Sequence, residues 1–373
     1  MQRSLLLFEN SIHSKVTLKS YTYALHKFIE YFKLRDYDSL AEMQSKMLQE
    51  MIEDYVMYMK SRSLSRSSIN TPINALQLFC ESNDVDIKWK KIRRMAPQQK
   101  KRTGKKAYST KDIQNMLKFE PKLRNKVIIH ILTSTGIRVG AIIDIKVGHL
   151  AKMPDGCMAV TIYEGDIEEY TVFLTPEATE MLSLYLNKRK ANGELLDNNS
   201  PLIREQYFMA VSKAKPLSTR GIQATLERIV RRAGLRTGTH GERRDTQLGH
   251  GFRKRFNTVM KTTDGMNLVL AEKMLGHSIQ SIPLDETYLD ATREKLFAEF
   301  KKAIPELTID DSARKQAQLD QKEKENSELQ KKVNEIEQLK KEQQRMKKQY
   351  DNDQLDSYRF VIEQMRKDGI IPK

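Results

Sequence analysis

The sequence is poor in cysteine and has no long apolar run. Its 373 residues include two cysteines, Cys80 and Cys157, which lie in apolar surroundings and are expected in the core. Nothing in their spacing indicates a disulfide framework or a cysteine-rich metal site, so a reducing compartment is favoured. The apolar run at residues 5–8 is much shorter than a signal peptide or a membrane span. The sequence therefore predicts a soluble, intracellular protein.

Acidic residues are outnumbered by basic ones. Lysine and arginine total 65 against 49 aspartate and glutamate residues, which gives a formal net charge of +16. This surplus favours a polyanionic partner, most simply nucleic acid, although ribosomal and membrane-surface proteins are also basic. The hydrophobic share of 39% is low for a fully globular chain and indicates a large solvated portion. A chain of this length predicts two or three domains.

Residues 1–95 have the pattern of a small helical domain. One helix start is marked by Ser67, Ser68 and Asn70. Such side chains either cap the helix or bind phosphates, and the sequence supports the two roles equally. Apolar residues recur at helical spacing in three stretches: Leu18, Tyr21, Leu25, Phe28 and Phe32, then Leu48, Ile52, Tyr55, Val56 and Met59, then Ile69, Ile73, Leu76 and Cys80.

Residues 96–107 are predicted to be a basic linker, in which Pro97 ends the preceding helix and Gly104 adds flexibility. The cations of such a run are often only solvated. Between two lobes that bind nucleic acid, contact with the phosphate backbone is favoured. These cations are Lys100, Lys101, Arg102, Lys105 and Lys106.

Residues 108–305 are predicted to form a second domain. Ser109 and Asp112 have the spacing of a capping box at its first helix. The apolar run at residues 127–132 indicates a buried helix, and Arg138 is placed at the start of the next helix. A guanidinium at such a position suits an anion, because helix N-termini also attract negative charge.

A β-hairpin is predicted from residues 158–163 and 170–174, which are rich in β-forming residues and flank a polar turn. Helices follow from Pro176 to about Lys190, from Ser218 onward and from Glu286 to Ile304, where Pro305 is expected to end the last of them. Ile222, Leu226 and Ile229 would turn the second of these toward the core. Its other face and its end are basic and form a candidate DNA-contacting surface, with Arg220, Arg228, Arg231, Arg232 and Arg236.

Residues 306–373 are predicted to be a charged helical tail. Residues 313–350 contain no glycine, proline or tryptophan and are rich in lysine, glutamine and glutamate. A coiled coil, a lone charged helix and a disordered tail remain open, because polar residues soon interrupt the apolar seam. That seam consists of Leu329, Val333, Ile336 and Leu339, and a terminal helix could dock through Phe360, Val361 and Met365.

A set of polar motifs is suited to phosphodiester chemistry. His250 and Arg253 are three positions apart, so a helix would project both from one face. A guanidinium neutralises charge on the non-bridging oxygens, while an imidazole moves a proton. Tyr288 supplies a hydroxyl that can attack phosphorus and hold it covalently.

The ordered motifs together resemble the tyrosine recombinase (phage integrase) family. They are Arg138, His250-Gly251-Phe252-Arg253-Lys254, Leu275-Gly276-His277-Ser278 and Tyr288. Residues 303–309 are similar to archaeal integrases, and the resemblance covers roughly residues 14–309. It implies a mainly α fold. A helical core-binding domain would clamp one face of the DNA, followed by a mixed α+β catalytic domain with a small β-hairpin and a C-terminal charged helix.

The resemblance implies a site-specific DNA recombinase or integrase of a mobile element. Tyr288 would attack the scissile phosphate and form a 3′-phosphotyrosyl link. Arg138 and Arg253 would hold the non-bridging oxygens. His250 would take the Tyr288 proton, and His277 would bind the phosphate or orient the nucleophile. This chemistry needs no metal, ATP or other cofactor.

The partners implied by the resemblance are double-stranded DNA and further copies of the chain, as a dimer to tetramer, because one active site cuts one strand. No membrane is involved, and the expected location is the cytoplasm, in association with the nucleoid.

Two positions depart from the family pattern. The carboxylate expected three residues after Arg138 is replaced by Ala141, and the lysine expected in the hairpin is replaced by Ile167. That lysine would protonate the leaving 5′-oxygen, yet the chain has neither lysine nor arginine between Lys152 and Lys188. The proton donor is therefore absent or comes from elsewhere, for example from Lys105, Lys106 or Lys152.

Two further interpretations of the sequence remain open. A catalytically weakened relative would bind DNA and support recombination architecturally. An enzyme resembling type IB topoisomerases would nick and rejoin DNA by the same chemistry, without strand exchange between partners.

Overall fold

The chain folds into two compact units, Met1–Arg102 and Thr103–Lys373. The computed structural model describes residues 2–98, 106–207, 211–235, 248–277 and 291–367. No helix within these ranges is long and apolar enough to cross a membrane. The division into two units does not test the predicted borders of the linker (96–107) and of the tail (306–373), so these stay predictions.

The described part of the first unit consists of helices around one apolar core. The three predicted apolar stripes lie on α2, α4 and α5, and their residues other than Leu18 are buried or half-buried in that core. The elements of the unit are α1 (Arg3–Asn10), α2 (Lys15–Phe32), α3 (Tyr37–Ala41), α4 (Ser45–Ser61), α5 (Arg66–Ser82) and α6 (Trp89–Met95).

The start of α5 differs from the sequence prediction. Ser65 is the N-cap, because its hydroxyl accepts a hydrogen bond from the Ser68 amide at 3.3 Å. Ser67, Ser68 and Asn70 lie inside the first turns of the helix, so their assignment as caps is wrong.

The second unit combines helices with one small sheet. The capping box of Ser109 and Asp112, the helix start at Pro176 and the Ser218 cap are confirmed. The elements are α7 (Thr110–Phe119), α8 (Leu123–Thr135), the 3₁₀ segments η1 (Val139–Ile143) and η2 (Val147–His149), β1 (Leu150–Lys152), β2 (Met158–Ile162), β3 (Tyr170–Leu174), α9 (Pro176–Ala191), α10 (Thr219–Arg232), α11 (Leu248–Thr262), α12 (Leu268–Met274), α13 (Arg293–Leu307) and α14 (Asp311–Lys367).

The sheet has the antiparallel order β1-β2-β3, and β2 and β3 form the predicted hairpin. Alternate side chains point to opposite faces. Ile162 and Leu174 pack in the core built around α8, whereas Ala159 and Phe173 pack in a second core formed by α11, α12 and α13. The sheet thus lies between the two cores, and the turn of the hairpin projects from one end of it.

Both cysteines are buried and free, as predicted. Burial raises the pKa of the Cys80 and Cys157 thiols to about 12. The thiolate form is therefore scarce at neutral pH, and both side chains behave as small apolar core residues.

The predicted helix from Glu286 to Ile304 is wrong in both its bounds. Thr292 caps α13, which begins at Arg293 and continues through Pro305 to Leu307. Pro305 lies in the last turn, where it costs the helix one hydrogen bond to the Lys301 carbonyl, and only Glu306 and Leu307 follow it before the helix ends. The predicted nucleophile Tyr288 lies outside the described residues.

The long charged helix of the tail is confirmed as α14. Phe360, Val361 and Met365 are 64%, 49% and 40% exposed on this helix, so they do not dock on the described part of this chain. The coiled-coil seam stays a prediction.

Candidate active site

A tight turn between α8 and η1 positions Arg138. Helix α8 ends at Gly136, whose φ of 59° lies in the left-handed region that suits glycine. A Cβ atom on Gly136 would lie 2.6 Å from Phe256 Cβ, so this turn approaches α11 closely. Arg138 follows in an extended conformation directly before η1. The predicted position of the first arginine, at the start of a helical segment, therefore matches the structure.

Arg253 extends from α11 toward the same turn. Its Nη1 donates to the Gly136 carbonyl at 3.0 Å, and its Nη2 donates to the Leu275 carbonyl at 2.6 Å. Burial lowers the pKa of Arg253, and the neighbouring charge of Arg138 lowers it further. Two guanidinium groups that repel each other in a partly desolvated place favour the binding of an anion between them.

Arg138 approaches the end of α12 as well. Its Nη2 lies 3.4 Å from the Gly276 carbonyl, which neighbours the Leu275 carbonyl that Arg253 binds. Carbonyls at a helix C-terminus carry partial negative charge, so they orient both cations. The two arginines predicted from motifs 115 positions apart in the sequence therefore meet at one point.

His277 completes this group through a network of side chains. Its Nδ1 is 2.5 Å from a Glu272 carboxylate oxygen, and its Nε2 is 2.9 Å from Arg253 Nη2. Because a guanidinium only donates, His277 Nε2 accepts and Nδ1 carries the proton given to Glu272. Lys261 also contacts Glu272. Burial raises the pKa of Glu272, but its contacts with Lys261 and His277 outweigh burial and hold that pKa below its usual value.

Glu272 and Lys261 were not predicted from the sequence. The available signal was the position of Glu272 five residues before His277, on the helix that ends in the Gly276-His277 motif.

His250 is exposed in the first turn of α11, one helical turn before Arg253. The predicted common face of these two residues is therefore present. A Cβ on the adjacent Gly249 would lie 2.1 Å from Val139 Cγ2, so the start of α11 packs directly on η1, beside Arg138. A glycine at this position lets the backbone of α11 approach η1 closely.

The hairpin turn provides no cation to this site. Ile167 at its tip is completely exposed, with a relative exposure of 102%. Nearer the strands, the Tyr163 and Tyr170 rings pack against each other with centroids 6.2 Å apart. A Cβ on Gly276 would lie 2.5 Å from Tyr170 Cε1, so Tyr170 packs directly on the loop that binds Arg138. No sequence pattern indicates that these two tyrosines contact the site.

Ala141, which occupies the place of the expected carboxylate, is 1% exposed and packs in the core around α8. A charged group at this position would be buried without a partner at considerable cost.

The structure places part of the predicted DNA-contacting set. Lys106, Arg220 and Arg228 are exposed. Arg228 also donates to the Ala224 carbonyl of its own helix at 3.2 Å. The linker cations Lys100, Lys101, Arg102 and Lys105, together with Arg236, lie outside the described residues. Within the ranges that the structure covers, no three histidine, cysteine, aspartate or glutamate side chains are grouped to hold a metal ion.

Comparison with known proteins identifies a family for this chain. The profile of the phage integrase family matches residues 106–295, which is 190 of 373 residues and slightly more than half of the chain. Tyrosine recombinase XerC of Lactobacillus leichmannii is 28% identical over 183 residues, which are 49% of this chain and 56% of the relative. The chain thus matches little more than half the length of this relative.

Other relatives match over a longer span. XerC of Leptospira interrogans is 24% identical over 311 residues, covering 79% of this chain and 88% of the relative. XerA of Pyrococcus furiosus is 23% identical over 288 residues, covering 76% and 86%.

Two solved structures share the fold. The XerH site-specific recombinase bound to its difH substrate has a TM-score of 0.52 and 20% identity, and the match covers 76% of this chain and 79% of that chain. The Tn1549 transposon integrase in complex with transposon right end DNA has a TM-score of 0.53 and 14% identity, with coverage of 81% and 99%. Residue motifs, site geometry and the family profile lead to one assignment: the chain belongs to the phage integrase family of tyrosine recombinases.

Proposed function

We propose that this protein is a site-specific DNA recombinase that cuts and rejoins strands through a 3′-phosphotyrosyl intermediate. The observation that carries the proposal is the meeting of Arg138 and Arg253 at the end of α12. Their charges are close enough to lower the pKa of Arg253, and the carbonyls around them leave guanidinium N–H groups for a further acceptor. A phosphodiester offers two non-bridging oxygens with the charge and spacing that such a pair binds.

Each remaining group has a place in this chemistry. Tyr288 attacks the phosphorus, and His250 on the exposed start of α11 accepts its proton. Glu272 and Arg253 engage both ring nitrogens of His277, so this ring is proposed to orient Arg253 and the nucleophile at the phosphate. The link to tyrosine conserves the energy of the phosphodiester, so a 5′-hydroxyl can reverse the step and rejoin the strand. The arginine pair supplies the charge stabilisation that preorganised donors give a transition state.

Double-stranded DNA is the proposed substrate. The net charge of +16 favours a polyanion, and the named XerH and Tn1549 structures contain DNA. Exposed Lys106, Arg220 and Arg228, with the linker cations, are proposed to contact phosphates. The helical unit before the linker would clamp the duplex, and the catalytic unit would follow the linker. Because each active site cuts one strand, two to four copies would assemble on the DNA, in the cytoplasm.

The proposal is tested by trapping the covalent intermediate. Sequencing the DNA bound by the purified full-length protein gives the recognition site. The substrate is then a duplex of that site with a nick near the cleavage position. Cleavage releases the short fragment that carries the 5′-hydroxyl needed for rejoining. A covalent protein–DNA adduct on a denaturing gel, together with recombination between two such sites, is expected.

Other outcomes separate the alternatives. Site binding without any adduct would indicate a catalytically weakened, architectural relative. Adduct formation and plasmid relaxation without recombination between two sites would indicate a topoisomerase-like enzyme.

A further inference from the structure

The cleavage step needs a proton donor that the usual hairpin position does not supply. When the bond between phosphorus and the 5′-oxygen breaks, the oxygen departs as an alkoxide unless a proton reaches it. Ile167 cannot donate a proton, and its side chain is fully exposed at the tip of the turn. The donor therefore has to be sought among the groups that the fold brings near Arg138.

The geometry excludes Lys152 for this role. Lys152 pairs with Met158 at the end of the sheet opposite the hairpin turn. Tyr170, which packs on the Gly276 loop, lies four residues before Leu174, the strand partner of Met158, and at about 3.3 Å per residue the two ends of β3 are roughly 13 Å apart. Lys261, the lysine in contact with the His277 network, is paired with Glu272.

Tyr163 lies beside the arginine pair. Its ring packs on Tyr170 with an interplanar angle of 62°, and Tyr170 packs on Gly276. The carbonyl of Gly276 is the group that Arg138 approaches. These contacts place Tyr163 at the rim of the site, and its side chain is partly exposed. A phenol there is accessible to a bound substrate.

The backbone holds Tyr163 in an uncommon conformation. Its φ is 55°, in the left-handed region that large side chains rarely adopt. The turn fixes this conformation, because the Asp166 amide donates to the Tyr163 carbonyl at 2.9 Å. His149 Nε2 contacts the carboxylate of the next residue, Glu164, at 3.0 Å and anchors the start of the turn. Such strain is retained at functional sites when the surroundings enforce it.

The electrostatic surroundings suit a group that gives up and recovers a proton. Burial raises the pKa of Tyr163, and the charges of Glu168 and Asp144 add to that shift, whereas the charges of Arg138 and Arg253 oppose it. The phenol is therefore protonated at neutral pH, and the two cations stabilise the phenolate left after transfer. A tyrosine has an unperturbed pKa of about 10 and a lysine of about 10.4, so the two are acids of similar strength.

We propose that Tyr163 donates the proton to the leaving 5′-oxygen. This inference rests on the recombinase function proposed above. As the nucleophile forms its bond to phosphorus, the bond from phosphorus to the 5′-oxygen breaks and its electron pair stays on the oxygen. The Tyr163 hydroxyl proton moves to that oxygen, which yields a 5′-hydroxyl and a Tyr163 phenolate. On rejoining, the incoming 5′-hydroxyl returns its proton to Tyr163.

Lys106 is the competing donor. The Tyr108 amide donates to the Gly251 carbonyl at 3.4 Å, so the segment that carries Lys106 runs past the start of α11. Lys106 is exposed, whereas Lys105, which the sequence also offers as a donor, lies outside the described residues. An experiment on Tyr163 therefore has to include this lysine.

The test compares two leaving groups in the full-length protein. One substrate has the normal 5′-oxygen at the cleavage position, and the other has a bridging sulfur, which departs as a thiolate without protonation. Tyr163→Phe should slow cleavage of the oxygen substrate by about 10²–10⁴-fold, the usual value of general acid help, and slow the sulfur substrate far less. Tyr170→Phe removes a hydroxyl beside Arg253 and should slow both substrates by the same factor. Lys106→Gln should not slow cleavage of the oxygen substrate more than that of the sulfur substrate.

Three results would overturn the assignment. Equal slowing of both substrates in Tyr163→Phe would show that the ring only supports the site. Undiminished oxygen cleavage in that variant would show that its hydroxyl is unused. Selective loss of oxygen cleavage in Lys106→Gln would make the lysine the donor. In each case the wild-type protein still forms adducts, whereas absence of wild-type adducts on both substrates would overturn the recombinase function itself.

Discussion

Replacing Gly276 with alanine tests the packing that brings the arginines together. Gly276 has a φ of 61°, and an added Cβ would lie within 2.8 Å of three atoms of the Tyr170 ring. The ring is held by the hairpin on one side and by α12 on the other, so it cannot move away freely. Gly265 is a matched control, because its φ is 67° and an added Cβ would meet no atom within 4 Å.

Both substitutions destabilise the fold through backbone strain, and Gly276→Ala adds a steric clash with Tyr170. An alanine in the left-handed conformation costs about 1–2 kcal/mol relative to glycine. Overpacking against a fixed side chain adds about 1–3 kcal/mol at Gly276. We therefore expect the free energy of unfolding to fall by about 1–2 kcal/mol in Gly265→Ala and by about 2–5 kcal/mol in Gly276→Ala.

Urea unfolding of the wild type and both variants measures these differences, provided that the denaturant slopes agree. DNA cleavage under native conditions should also be slower in Gly276→Ala, since the carbonyl that Arg138 approaches must shift, and unchanged in Gly265→Ala. Equal destabilisation by the two alanines would refute the reasoning, because the contact with Tyr170 would then have no energetic consequence.

Three further predictions concern charge, pH and the tail. Arg138→Ala or Arg253→Ala should raise the cleavage barrier by about 2.7–4 kcal/mol in single-turnover assays while DNA binding falls much less, because one preorganised donor is lost among many phosphate contacts. Burial lowers the pKa of His130 to about 4. As the pH falls, the imidazole is therefore protonated in the unfolded chain before it is protonated in the folded one. The free energy of unfolding should then fall by roughly 3 kcal/mol as the pH drops from about 6.5 to 4, as measured by urea unfolding at each pH. His130→Gln should remove this pH dependence. Deleting residues 312–373 should leave a folded protein by circular dichroism that binds DNA but recombines poorly.

Much of the fold was predictable because it depends on local sequence patterns. The apolar stripes of the first unit, the capping box at Ser109 and the Ser218 cap use short-range spacing that a sequence displays directly. The hairpin was also predictable, since two β-rich runs flank one polar turn. The errors fall where local signals compete. Ser65 rather than its serine neighbours caps α5, and Pro305 sits inside a last helical turn.

The site was predictable in part. Motif order identified Arg138, Arg253, His250 and His277, and the structure brings the two arginines and His277 together. Their contacts depend on distant packing, such as Gly136 against Phe256, that no local pattern reveals. The placement of Tyr163 also required the fold, because a tyrosine at the end of a strand has no distinctive sequence signal.

The central claim is covalent catalysis by one tyrosine, and mapping the adduct tests it most directly. The trapped protein–DNA complex is digested with nuclease and protease, and mass spectrometry identifies the peptide that carries the remaining nucleotide. The account predicts the modification on Tyr288, and loss of the adduct in Tyr288→Phe with DNA binding retained. A nucleotide on another residue, or an adduct that persists in Tyr288→Phe, would contradict it.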